Sequence, residues 1–246
     1  MVPRLALWTW LTLAAVTSSS QTPESEPRAA LVEMGARLTQ LQSYQARISR
    51  VTELAVSAEV ERSETVIEFA VERPNRVALR SAAPEGRLEV VSDGERLWVW
   101  SEESGMMLDT EAPATLPEIF EATEGLAAEG LAIGGLLFSD DPAEEITAEY
   151  NIIHDLGGMH LEGELCHLIG LEQRDGLKMI LWLDAETLVP CQVTLDATAT
   201  LRDSLTAQGI NSRWARATVI ETHRDVVLNA EGLEFHLLAD TAAQRD

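Results

Sequence analysis

Residues 64–113 read ETVIEFAVERPNRVALRSAAPEGRLEVVSDGERLWVWSEESGMMLDTEAP, a series of short apolar runs cut by strong turns. Pro74-Asn75 ends the first run, Pro84-Glu85-Gly86 the second, and Asp93-Gly94 is a hairpin turn. Ser104-Gly105 closes the next. Thr65, Ile67, Phe69 and Val71 alternate onto one face, as do Leu88 and Val90 within their own run. A period of two predicts half-buried antiparallel strands, and closely spaced turns predict a meander.

Upstream, ALVEMGARLTQLQSY sets Leu31, Met34, Leu38 and Leu41 at three- and four-residue steps, the stripe of an amphipathic helix interrupted by Gly35. Strands are expected at 44–58, 64–72, 76–82, 87–92, 95–101 and 106–110. From residue 114 the character changes. Leu116, Ile119 and Phe120 open a helix, GLAAEGLAIGGLLF predicts a second over 124–138, and Asp141-Pro142 starts a third. Strands resume at 150–156, 159–162, 164–173, 177–184, 188–200, 213–223 and 225–238. Helix, strands, helices, strands is an α+β order, with helices packed on an antiparallel sheet.

Arg4 followed by LALWTWLTLAAV and small residues has the layout of a cleavable export signal, 1–20, with cleavage expected near Ser18–Ser20. The apolar run is shorter than the ~20 residues of a spanning helix. A polar tether, 21–28, then leads to one domain over 29–240 and a frayed tail, 241–246. The chain is therefore read as periplasmic or secreted, with no stable membrane insertion. Forty-one acidic residues against 18 basic give a net charge of −23, which excludes a nucleic-acid partner because phosphates demand a basic surface.

Two cysteines in an exported chain raise the question of a disulfide. Cys166 and Cys191 fall on the first and third strands of a predicted meander, about 9–10 Å apart. A bridge needs Cα atoms within about 7 Å, so the two are expected to be unpaired. The five histidines show no metal-ligand spacing, and no nucleophile elbow or phosphate-binding loop occurs. No catalytic residue, metal or cofactor is assigned, and the protein is read as a non-enzyme.

The apolar inventory is more telling. Trp98 and Trp100 share one face of their strand while Leu97 and Val99 take the other. One face meets the core, and the other needs a helix or a ligand over it. The 124–138 helix is the natural cover. It either seals the sheet or acts as a lid over an apolar guest.

At ERPNRVAL, SDGERLWVW, EAPATLPEIF with its Leu/Gly-rich continuation, DDPAEE, LEGELCHLIGLEQ and LKMILWLDAETLVP, the chain resembles the outer-membrane lipoprotein-sorting superfamily (LolA/LolB-like). Within it, the chain is most similar to a bacterial family of predicted periplasmic proteins of undefined function. The resemblance covers roughly residues 30–200. It implies a strongly curved, incomplete antiparallel barrel with helices covering its concave face, and a cavity beneath them that takes acyl chains. Phe69, Trp98, Trp100, Phe120, Leu126 and Ile133 are the expected lining. The partner is then a lipid or an acylated protein. The alternative is an envelope module with a dry core that binds another protein through its sheet edge or acidic face.

Overall fold

The computed structural model describes residues 25–56, 59–83, 86–233 and 235. The stretches read as an export signal and a polar tail lie outside the described residues. A helix α1 (Ser25–Gln40) precedes six strands: β1 (Ser43–Val56), β2 (Glu59–Glu72), β3 (Arg76–Ala83), β4 (Gly86–Asp93), β5 (Arg96–Ser101) and β6 (Met107–Glu111). A helical stretch follows, made of α2 (Leu116–Ala122), a 3-10 turn (Leu126–Ala128), α3 (Gly134–Phe138) and α4 (Pro142–Glu149). The chain then forms β7 (Ile152–Leu161), β8 (Glu164–Glu172), β9 (Lys178–Asp184), β10 (Pro190–Asp196), α5 (Thr198–Ala207) and β11 (Arg216–Leu228).

All eleven strands belong to one curved antiparallel sheet, in the order β6-β5-β4-β3-β2-β1-β11-β10-β9-β8-β7. Two meanders thus run outward from a central seam where β1 pairs with β11, from Tyr44 opposite Leu228 to Ala55 opposite Arg216. The sheet does not close, and β6 and β7 are its edges. The helical stretch connects those two edges.

One apolar cluster joins sheet and helices. Its strand members include Ile48, Phe69, Leu79, Val90, Val99, Leu181 and Val193, and its helix members include Leu31, Met34, Leu38, Ile119, Leu137 and Ile146. The helices therefore pack against the face that carries Phe69. The remote ends of β1 and β2 run beyond this core: Glu59 to Arg62 are exposed, whereas Ile67, Phe69 and Val71 are buried.

Several elements differ from the sequence reading, each for a local reason. Helix α1 begins at Ser25, inside the expected tether, with Pro27 in its first turn where a missing N–H is tolerated. The 124–138 helix is instead broken, because Glu124, Gly125 and Gly130 all adopt positive φ and a right-handed helix cannot run through such residues. The strands expected at 150–156 and 159–162 are one strand carrying a bulge between Asp155 and Gly157. Likewise, 213–223 and the described part of 225–238 resolve into a single β11 that ends at Leu228, with a register shift opposite Gln45–Arg47 and Asp225 at positive φ, while residues 234 and 236–238 lie outside the described residues. Signals read as turns are bulges. Helix α5 replaces the end of the strand expected over 188–200 and has no buried residue.

Gly35, which weakens α1 as an isolated helix, has a packing role. A Cβ there would stand 2.9 Å from Ala143 Cβ and 3.0 Å from its backbone nitrogen, so α1 and α4 touch nearly backbone to backbone. Gly35→Ala would gain roughly 1 kcal/mol of helix propensity. Overpacking against a rigid neighbour typically costs 1–3 kcal/mol. The expected result is net destabilisation of up to about 2 kcal/mol, read as a lowered urea midpoint and offset by adding Ala143→Gly.

Candidate functional site

Strand register decides which aromatic groups face the helices. Phe69 pairs with Leu79, Leu79 with Val90, and Val90 with Val99, forming an apolar row under the helices. The neighbouring row is Glu68, Arg80, Glu89 and Trp100, and the next is Ala70, Ala78, Val91 and Trp98. Trp98 and Trp100 therefore stand on the opposite face, half-buried, with the Arg87 guanidinium 5.7 Å from the Trp100 ring centre. Their expected place in a common lining with Phe69 is corrected by this register. Because β5 is apolar on both sides, period two alone leaves its inward face open; the partner strand settles it.

The other four expected lining residues come together. Phe69 and Ile133 are buried, and the half-buried Phe120 and Leu126 pack against the same cluster. Phe138, which the sequence reading did not single out, links them: its ring centre lies 6.3 Å from Phe69 and 5.7 Å from Phe120. Tyr44 extends the stack, 6.2 Å from Phe69. These rings form one connected aromatic row between cover and sheet.

The cover is built from short pieces with local caps. Thr115 and Glu118 form a reciprocal capping box that starts α2. Thr123 ends that helix, its hydroxyl donating to the Ile119 carbonyl at 2.9 Å and accepting the Ala127 N–H at 3.2 Å. Asp141 caps α4 by accepting the Glu144 N–H at 3.0 Å. Between the 3-10 turn and α3 the chain is tied down by a buried carboxylate. Glu221 on β11 is 1% exposed, and its two oxygens accept the Ala132 N–H at 2.7 and 2.9 Å. The Arg50 guanidinium, on the adjacent strand, lies 3.8 Å from the same carboxylate. A Cβ at Gly130 would fall 2.9 Å from Arg50 Nη1, so the cover passes directly over this arginine. Beyond it opens a polar cleft of about 350 Å³, lined by Arg50, Thr65, Ser81, Arg87, Glu129 and Gly130 among others.

A second buried polar pair lies nearby. The Tyr44 hydroxyl and His223 Nδ1 are hydrogen-bonded at 2.6 Å, while His223 Nε2 is buried without a hydrogen-bond partner. Burial pulls His223 down to about 4 and keeps it neutral at pH 7. His223 also borders a cavity of about 380 Å³ at the end of β8–β11, together with Cys166, Pro190, Cys191, Thr222 and Leu228. There the expected cysteine separation does not hold. The two sulfurs are 3.0 Å apart, both as free thiols.

Burial raises the Glu221 carboxyl to about 7, against the opposing pull of the Ala132 N–H and of Arg50. A carboxyl whose folded pKa exceeds its unfolded value stabilises the fold most below the unfolded pKa and loses that contribution as pH rises through the folded one. The window is thus about pH 4.5 to 7. Its full size is on the order of 3 kcal/mol. His223 acts with the opposite sign between about 4 and 6.5, so the comparison must be made against wild type at each pH. Glu221→Gln is expected to be relatively more stable at pH 8 than at pH 5, read from paired thermal-unfolding curves. An unchanged difference would show that Glu221 does not titrate there.

Comparison with curated proteins finds no match. Among solved structures, the chain is similar to the lipoprotein LppX of Mycobacterium tuberculosis, at 9% identity and a TM-score of 0.44, covering 87% of this chain and 100% of that one. It is similar to MucB, at 15% identity and a TM-score of 0.49, covering 87% of this chain and 64% of that one. A LolA superfamily protein from Nitrosomonas europaea matches at 10% identity and a TM-score of 0.31, over 87% and 96% of the two chains. These values are too low to carry function from one chain to another. No helix among the described residues is long and apolar enough to cross a membrane. The model of one family, described as "Predicted periplasmic protein (DUF2092)", matches residues 28–208. With most of its length so matched, the chain belongs to that family of periplasmic proteins.

Proposed function

We propose that this periplasmic protein is a non-enzymatic binder of an acyl chain, borne by a lipid or an acylated protein, which lodges between the sheet and its helical cover. The covered face is, in this reading, the concave one. The observation that carries the proposal is the construction of the cover. Its inner surface is apolar, with Ala127, Ile133, Leu136, Leu137 and Phe138 all buried, yet it is broken by left-handed residues at Glu124, Gly125 and Gly130. Such a segment can shift as short pieces without disturbing any strand pairing. A guest would then replace the cover's own side chains against Phe69, Phe120, Leu126 and Ile133. Each buried methylene contributes about 0.8 kcal/mol, so a long chain can offset the contacts that the cover gives up. Binding of this kind favours longer chains, by roughly fourfold per methylene buried, and discriminates headgroup hardly at all.

The test is native mass spectrometry of the protein isolated from an envelope fraction without detergent. A discrete added mass that organic extraction identifies as acyl lipid or acylated peptide is the expected result. A bare mass, unchanged after incubation with phospholipid and lipopeptide, would overturn the proposal. Phe120→Ala should lower occupancy by about fivefold or more, the equivalent of roughly 1 kcal/mol. Trp98→Ala, on the other face, should leave it unchanged.

A second reading, binding of another envelope protein, draws support from β7. This edge strand exposes Ile152, Leu156 and Met159 and offers unpaired backbone groups to an added strand. It predicts a bare chain by mass and a partner cross-linked through β7.

A further inference from the structure

Strands separated by one neighbour lie about 9–10 Å apart, too far for ordinary cysteine pairs. Cys166 on β8 and Cys191 on β10 nevertheless bring their sulfurs to 3.0 Å. The cause is local. Leu183 pairs with Pro190 and Trp182 with Gln192, so the β9–β10 ladder skips Cys191. The bulged residue leans over β9, its Sγ lying 3.2 Å from the Trp182 carbonyl. Cys166, opposite Asp184 on β9, meets it from the far side.

We propose that Cys166 and Cys191 close a disulfide when the chain meets the oxidising envelope, stapling β8 to β10 across β9. The inference is independent of any acyl ligand. Three further observations support it. The chain has only two cysteines, so no other thiol within one molecule competes. Its family is periplasmic, where disulfides form and persist. Finally, exposure differs in the way that stepwise exchange requires: Cys166 is buried, whereas Cys191 is half-buried and borders the cavity that Thr222 and Val226 also line.

The chemistry is thiol–disulfide exchange with a disulfide-bearing oxidant. The Cys191 thiol loses its proton, and its sulfur attacks one sulfur of the oxidant's disulfide. A mixed disulfide forms and the oxidant's first thiol leaves. The Cys166 thiolate then attacks the Cys191 sulfur and expels the second thiol. Two protein thiols are oxidised to one disulfide, and one oxidant disulfide is reduced to two thiols. Burial and the adjoining Cys166 thiol, with Asp184, push the Cys191 thiol up to about 12. It is therefore a sluggish attacker, suited to a reactive envelope oxidant rather than to a regulatory cycle.

The full chain, exported and recovered from the envelope under acid quench, is denatured and alkylated before and after reduction. The expected result is no alkylation before reduction, two groups after it, and a single covalent link between Cys166 and Cys191 in digested protein. Reduction of the folded protein should lower Tm by about 7–14 °C, given a closure of residues 25 apart. Cys166→Ser/Cys191→Ser should show no such shift. Two alkylated thiols in the unreduced envelope sample, or cysteine-linked dimers, would overturn the proposal.

Discussion

The architecture depends on the pairing of β1 with β11. Two meanders leave that seam in opposite directions, and each ends on a free edge, β6 or β7. The chain must then pass from one edge to the other between Glu111 and Ile152, and the sheet blocks the direct route. The helical stretch is the result. It lies over one face because it has to span the sheet, and the apolar residues it carries make that crossing favourable. Both the cover and the enclosed apolar surface follow from strand order.

The polar groups inside this arrangement are few and specifically placed. Glu221 is buried on the strand that closes the seam, and it receives the one backbone N–H, from Ala132, at the point where the cover has no helix of its own. Arg50 comes from the other seam strand, where it pairs with Glu221 across the ladder. A buried carboxylate is costly unless satisfied, and here both partners exist only when sheet and cover are assembled. The seam and the cover are thus coupled through one side chain, despite the distance between their sequences.

The sequence makes the strand pattern legible because the turn chemistry at Pro74-Asn75 and Asp93-Gly94 is unambiguous; the end of β2 and the bounds of β3, β4 and β5 follow it closely, whereas β2 begins at Glu59 rather than at residue 64. Reading fails where one residue type serves two geometries. Gly157-Gly158 and Asp225 suit turns, and here they serve bulges within continuous strands. Helix α5 is short and exposed, with Leu201 and Leu205 as its main apolar signal, too little to outweigh the strand preference before it. At the candidate site, the apolar character of Phe69, Phe120, Leu126 and Ile133 was readable. The inward face of β5 was not, since Leu97 and Trp98 are equally apolar. Arg50, Glu221 and the cysteine contact depend on register and on a bulge, which one strand's pattern does not contain.

The central seam also has a temporal consequence. β1 stands near the start of the described chain and β11 near its end, so the seam joins segments far apart in sequence. Similarly, α1 waits more than a hundred residues for Ala143, the neighbour that Gly35 accommodates. Contacts between such distant segments form slowly. Half of the sheet can assemble as a hairpin array of near neighbours, but its β1 flank stays unpaired until β11 joins it. A chain halted before that point would present one of its two longest strands, bare on one side, to any other unfolded chain nearby.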